Sequence, residues 1–328
     1  MSPYISRGVI STKNVYDHLV SLGLPWQKTE KLIQELAWRD YWQQVWIAKG
    51  NLIMSDLKNK QTPVTNYEIP EAVVNANTGI EAIDNAIEKL YKTGYMHNHM
   101  RMYVASICTN IAKSHWLSPA KWMYSHLFDG DLASNHLSWQ WVAGTNSNKK
   151  YYANQDNINK FFQGSQKNTF LDIEYEQFGN LEIPDALLNT VPFDIETSLP
   201  KIKRPILHND KTTLIYNYYN LDPFWHPEED VQRVLLLENS FFKENPVSQH
   251  CLNFVFDLAK NIDGIEIFVG DFTELLEQLN SDRIIFKEHP TNRQYQGKEE
   301  PRDWLCDVTG YFPSFFAFWK KCKKALKP

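Results

Sequence analysis

The stretch Gly94-Tyr95-Met96-His97-Asn98-His99-Met100-Arg101-Met102, followed by Asp129-Gly130-Asp131-Leu132-Ala133-Ser134-Asn135 and by Trp139-Gln140-Trp141, decides how this chain is read. It sets one permanent cation, two carboxylates, side-chain amides and stackable aromatics into a region whose pattern is otherwise helical. Asn98, Arg101 and Met102 are spaced three and four apart, so on a helix they share one face, which carries an amide, a cation and a soft apolar group. Asp129 and Asp131 flank a glycine where the apolar pattern of Trp122, Met123, Leu127 and Phe128 stops, the place of a turn between helices. Two carboxylates there can meet an arginine from a facing helix. Taken alone, the pattern is equally that of a buried Arg–Asp clamp that only holds helices together.

Outward from this region the helical pattern continues. Residues 27–48 read as one long helix, with Leu32, Ile33, Leu36, Ala37, Tyr41, Val45 and Ala48 recurring at three and four and Gly50-Asn51 ending it. Further helices are predicted from Gly79 to Tyr91, Met96 to Lys113, Pro119 to Phe128 and Asn135 to Val142. From about Phe170 to Pro227 scattered prolines and weak periodicity read as an extended connector. Beyond it the apolar runs Arg233–Glu238, Ile265–Asp271 and Arg283–Lys287 alternate with helices, as in βαβ units with a small parallel sheet, and a last helix covers Tyr311 to Leu326. The expected class is α+β: an all-α domain over 1–165, a connector over 166–227 and a small α/β domain over 228–328.

With 328 residues the chain can build two ordinary cores. It has no apolar run long enough to span a bilayer and its start lacks a signal pattern, so no membrane association and a cytoplasmic location are expected. Cys108, Cys251, Cys306 and Cys322 lie far apart and form no metal-like spacing, so reduced thiols and no metal are expected. The net charge of -5 is unevenly spread: residues 1–165 hold 16 Lys and Arg against 13 Asp and Glu, residues 166–328 hold 18 against 26. DNA binding is allowed by this balance but not indicated by it, and the acidic half is a candidate surface for a protein partner. The Gly-x-Gly-x-x-Gly fingerprint of dinucleotide folds is absent, which argues against a nicotinamide site in the tail.

The run from Thr78-Gly79 through Asp84, Leu90, Thr93-Gly94, His97-Asn98, Arg101-Met102, Asp129-Gly130-Asp131-Leu132 and Asn135 to Trp139-Gln140-Trp141 resembles the flavin-binding helical domain of the DNA photolyase/cryptochrome family. Upstream, Ser2-Pro3-Tyr4, Gly8 and Ser11 look like that domain's opening, and Glu35-Leu36-Ala37-Trp38-Arg39-Asp40-Tyr41-Trp42 looks like its Glu-Leu-x-Trp-Arg motif. The resemblance covers roughly residues 1–150. In the tail, Val269-Gly270-Asp271-Phe272 with Ile284-Ile285-Phe286 resembles part of the family's α/β antenna domain, here placed after the helical domain, as if permuted and shortened. With no whole N-terminal antenna domain, a second chromophore is not expected.

The resemblance implies non-covalently bound FAD held by Ser2, Arg101, Asp129, Asp131 and Asn135, with Asn135 near the flavin N5 and Arg7 or Lys13 as candidate cations for its phosphates. Trp139 and Trp116 coincide with the inner and middle members of the family's electron-transfer chain. The outer member has no counterpart, since Met54 to Glu71 contains Tyr67 and no tryptophan. Glu35, Trp38, Asn98, Met102 and Trp141 match positions that in cyclobutane-dimer photolyases contact a flipped-out lesion, and enzymes for the 6-4 photoproduct place histidine where this chain has Asn98 and Met102. The implied activity is blue-light-driven repair of cyclobutane pyrimidine dimers, with damaged DNA as partner and single strands favoured, because His99 stands where an arginine commonly contacts DNA. The alternative is a cryptochrome-like blue-light photoreceptor without repair.

Overall fold

The first fifty residues form α1 (Ser2–Ser6), α2 (Thr12–Ser21) and α3 (Trp26–Lys49) in a computed structural model that describes residues 1–202 and 204–326. Then come the short strand β1 (Ile69–Pro70) and helices α4 (Glu71–Val74), α5 (Glu81–Thr93), α6 (Asn98–Ser106), α7 (Leu117–His126), α8 (Leu132–Ala143) and α9 (Gln155–Phe162). The remainder holds β2 (Thr190–Val191), β3 (Thr213–Tyr216), β4 (Gln232–Leu237), α10 (Asn239–Glu244), α11 (Gln249–Ala259), β5 (Ile265–Val269), α12 (Phe272–Leu275), β6 (Ile284–Lys287), β7 (Lys298–Glu300) and α13 (Phe315–Leu326). The α+β class expected from the pattern is what the chain adopts. No described helix is long and apolar enough to cross a membrane.

Contacts group the chain into two compact units, Met1–Gly50 with Glu196–Pro328, and Asn51–Ile195. Composition had placed the boundaries at 165 and 227. The first fifty residues group with the α/β part because the apolar face of α3 is covered by the segment that ends in α13. Trp38 stacks on Phe315 at 3.6 Å, Tyr41 packs on Phe318 at 5.7 Å, and the buried Asp40 accepts hydrogen bonds from Leu305 N–H at 2.7 Å and Thr12 Oγ1 at 3.0 Å. In the same unit the five strands are all parallel, in the order β5-β4-β3-β6-β7. Its centre is β3, which lies inside the stretch read as connector. Four residues, Thr-Leu-Ile-Tyr, are too short a run to stand out among prolines, yet all four are buried. The edge strand β7 is Lys-Glu-Glu and has no apolar signal at all, as suits an edge that must not recruit another strand.

The second unit is helical around one core, which includes Ile83, Ile87 and Leu90 of α5, Met100, Tyr103 and Val104 of α6, and Trp116, Trp122 and Trp139. The sequence reads α6 as running unbroken to Lys113. It instead widens into a π-helical turn at Ile107–Ile111, where Ala112 N–H reaches back to the Ile107 carbonyl at 2.8 Å. Asn110 sits in that turn and donates its side-chain amide to the carbonyls of Val142 at 3.0 Å and Tyr151 at 2.8 Å. The bulge thereby ties the end of α6 to the chain leaving α8.

Candidate functional site

Arg101 and Asp129 meet because two turns lock together. Gly94 ends α5 at φ 65, in the left-handed region, and a Cβ there would lie 2.3 Å from the Phe128 ring, so only glycine fits. Phe128 N–H donates to the Gly94 carbonyl at 2.9 Å, which fixes the turn after α7 against the turn before α6. Across this joint Arg101 Nη2 binds both Asp129 oxygens, at 2.9 and 3.1 Å, and Arg101 Nε donates to the Met96 carbonyl at 2.8 Å. The Asp129 side chain is 6% exposed and that of Arg101 22%, so the pair is largely screened from solvent. Arg101 Nη1 has no protein acceptor among the described residues.

Two residues on, Asp131 caps α8 by accepting Ser134 N–H at 2.7 Å. Ser134 Oγ, buried in that first turn, has no protein partner among the described residues. Asn135 donates its amide to the Ala120 carbonyl at 2.9 Å, so the oxygen of that amide is the end left to face outward from this bond. Gln140, fully buried on α8, donates to the Ile53 carbonyl at 2.7 Å and accepts from Leu57 N–H at 3.0 Å. Its role is to clamp the segment that carries Asp56.

Asp56 is the site residue that sequence reading missed, since nothing in its neighbourhood marks it and its partner lies sixty residues away. Its Oδ1 accepts Trp116 Nε1–H at 2.8 Å and faces His115 Nε2 at 3.3 Å, while its Oδ2 accepts Gln61 N–H at 2.8 Å. Gln61 in turn accepts Trp116 N–H at 2.9 Å and donates to the Ser114 carbonyl at 2.8 Å. Trp116 is wholly buried and Trp139 is 2% exposed.

The five lesion-contact candidates divide between the units. On α3, Glu35 is exposed and lies 3.5 Å from Lys31, and Trp38 gives one ring face to Phe315. In the helical unit, Asn98 is exposed at the start of α6, Met102 is half-buried one turn later, and Trp141 is 39% exposed and leans on Tyr151 at 5.7 Å. Beside them His99 stacks on Phe161 at 4.6 Å and on His97 at 5.4 Å. Ser2 Oγ accepts Arg39 Nη2 at 2.8 Å. Of the candidate phosphate cations, Arg7 is fully buried over the Tyr218 ring at 3.8 Å and Lys13 pairs with Asp17 at 2.9 Å, so both are engaged within their own unit.

Two histidines of the helical unit are held neutral by burial. His136 falls to about 3, against the support of its bond to the Leu132 carbonyl, and His126 falls to about 4. With the folded values below the unfolded one, the unfolded chain takes up protons first as pH falls below about 6.5, so this contribution to stability is present above that pH and lost below it. His289 of the other unit has the same sign and His226 the opposite one. Urea unfolding is expected to show a loss of about 2 kcal/mol per buried histidine between pH 7 and pH 5, and His136→Gln is expected to flatten that slope. An unchanged slope in the variant would show that His136 is not responsible.

Residues 32–170 match the family model described as the FAD binding domain of DNA photolyase. Over that segment the chain is similar to DNA photolyases and cryptochromes. A deoxyribodipyrimidine photo-lyase of Streptomyces griseus is 30% identical over 151 residues, covering 46% of this chain and 33% of that protein. The deoxyribodipyrimidine photo-lyase of Vibrio cholerae is 30% identical over 159 residues, covering 46% and 34%, and cryptochrome DASH of Danio rerio is 33% identical over 149, covering 44% and 29%. The chain thus spans about a third of the length of the curated relatives it matches. Among solved structures, a cryptochrome of Synechocystis sp. PCC6803 is 27% identical, with 49% of this chain and 35% of that one covered and a TM-score of 0.44.

The polar groups present fit a flavin dinucleotide. An arginine with a spare Nη1, an orphaned serine hydroxyl and an amide oxygen lie on or beside the starts of α6 and α8, as a cofactor rich in donors and acceptors requires. Among the described residues no group of His, Cys, Asp and Glu could hold a metal ion.

Proposed function

We propose that this protein binds FAD in its helical unit and uses blue light to split cyclobutane pyrimidine dimers in DNA, preferentially in single strands. The observation that carries the reading is the buried Arg101–Asp129 pair together with the Asp131 cap and the tethered Asn135, inside the segment that matches a photolyase FAD binding domain. When bound, FAD supplies light absorption and the electron. Arg101 and Asp129 give its pocket a fixed dipole with little exposure to water, and Asn135 offers an acceptor oxygen because Ala120 holds its amide by the nitrogen end. Trp141 and Met102 offer an aromatic and a soft apolar surface, and Asn98 an uncommitted amide, which suits stacked bases with hydrogen-bonding edges. A strand already unpaired avoids the cost of flipping a base, and the histidine in place of an arginine at His99 weakens the grip on a duplex.

The test is reconstitution. Protein mixed with FAD should retain about one flavin per chain, and cofactor at ~100 times its dissociation constant should stabilise the fold by roughly 2.7 kcal/mol. With the flavin reduced, blue light should restore a dimer-containing single-stranded oligonucleotide. Protein that stays colourless and gains no stability refutes the FAD reading. Flavin bound and reduced without repair of either strand form favours a photoreceptor, a second reading supported by the engagement of His99 in a ring stack with Phe161 and His97 instead of a cation offered to phosphate.

A further inference from the structure

Cys306 and Cys322 stand sixteen residues apart, and the packing of α2 and α3 brings them together. Thr12 and Tyr16 lie one turn apart on α2, so they share a face. Thr12 Oγ1 donates to Asp40 Oδ1 of α3 at 3.0 Å, and Asp40 Oδ2 accepts Leu305 N–H at 2.7 Å, which fixes the residue before Cys306. Tyr16 Oη donates to the Leu326 carbonyl at 2.7 Å, which fixes the last turn of α13, and Cys322 lies one turn earlier. The segment between them is held on α3 as well: Gly310 N–H donates to Gln44 Oε1 at 2.8 Å and Tyr41 Oη to the Phe312 carbonyl at 3.3 Å. Held from both ends, the two thiols meet. The Cys322 thiol hydrogen-bonds the Cys306 sulfur, and Val308 N–H donates to the same sulfur. Cys306 is half-buried, whereas Cys322 is closed to solvent. The hydrogen bond from Cys322, with that from Val308, holds the Cys306 thiol below its usual value against burial and the charges of Asp40 and Asp307. Cys322, the donor in the pair and itself buried, is pushed up.

We infer that Cys306 and Cys322 form a peroxide-reactive dithiol, with Cys306 as the attacking thiol and Cys322 as the resolving one. The site does not depend on the proposed flavin chemistry. Cys306 releases its proton to water and its thiolate attacks one oxygen of hydrogen peroxide: an S–O bond forms, the O–O bond breaks, and the hydroxide that leaves takes up a proton to become water. The Cys322 sulfur then attacks the Cys306 sulfenic acid: an S–S bond forms, the S–O bond breaks, and the departing hydroxyl leaves as a second water with the Cys322 proton. Two thiols have lost two electrons and one peroxide has become two waters. The bridge closes a loop that holds Phe312, Phe315, Phe318 and Trp319. Phe315 is the ring stacked on Trp38 and Phe318 the ring packed on Tyr41, so oxidation pins the cover of α3 in place. The other two cysteines, Cys108 at 0% and Cys251 at 1% exposure, offer peroxide no such entry.

The test uses the whole chain and hydrogen peroxide. In the native reduced protein, iodoacetamide should label Cys306 on the order of 10-fold faster than any other cysteine. After a short peroxide pulse, the thiols titrated in denaturant should fall from four to two, and peptide mapping should find Cys306 joined to Cys322. Oxidised protein should unfold at a urea concentration higher by on the order of 1 M, a gain that dithiothreitol reverses. Cys322→Ser should stop the reaction at a sulfenic acid on Cys306, captured by dimedone, and Cys306→Ser should give neither adduct nor bridge. The parent protein decides the matter even if a variant does not fold. Four thiols left after the pulse, or a bridge that involves Cys108 or Cys251 instead, overturns the inference.

Discussion

Arg101→Ala is expected to destabilise the helical unit by about 3–5 kcal/mol, because it strips the cation from a carboxylate that is 6% exposed and bound through both oxygens. Desolvation is the larger part of that cost: the Asp129 charge stays in a place with little water, and only its partner has gone. For this reason Arg101→Ala combined with Asp129→Ala is expected to cost less than the sum of the single changes, since the double variant leaves no charge behind. Urea unfolding of the FAD-free single and double variants checks this. A loss below about 1 kcal/mol for Arg101→Ala, as for exposed pairs, would mean that the pair is hydrated in solution.

Trp139→Phe is expected to slow blue-light reduction of bound flavin by at least an order of magnitude while flavin stays bound. Phenylalanine retains most of the ring volume at a site that is 2% exposed, so the structural cost should stay well under the roughly 3–5 kcal/mol of a change to alanine. It is, however, far harder to oxidise than an indole. Photoreduction followed by absorbance, with flavin retention measured on the same sample, separates the two effects. Reduction at the parent rate would show that electrons reach the flavin by a route without Trp139.

Local pattern alone was enough for much of this chain. The helix over 27–48 was legible because its apolar residues recur at three and four and a glycine follows, and it forms as Trp26–Lys49. The strands β4, β5 and β6 were legible as short apolar runs between helices. That an arginine on a helix face could meet a carboxylate beside the turn glycine was legible too from complementary charge, but which of the two aspartates does so, Asp129 on Arg101 and Asp131 on the start of α8, was decided by the fold. What local pattern could not carry is whatever depends on residues far apart. The central strand β3 is four residues among prolines, and only its neighbours on both sides in the sheet make it a strand. The grouping of α3 with the α/β part follows from the stacking of Trp38 on Phe315, a contact between residues almost three hundred positions apart. Asp56 is an ordinary acidic residue in a loop until Gln140 and Gln61 hold it under the Trp116 indole. Helical and strand periods, caps and turns arise from interactions within a few residues and are written in the sequence. The choice of which carboxylate meets which indole is made by packing, after the chain has brought distant segments together.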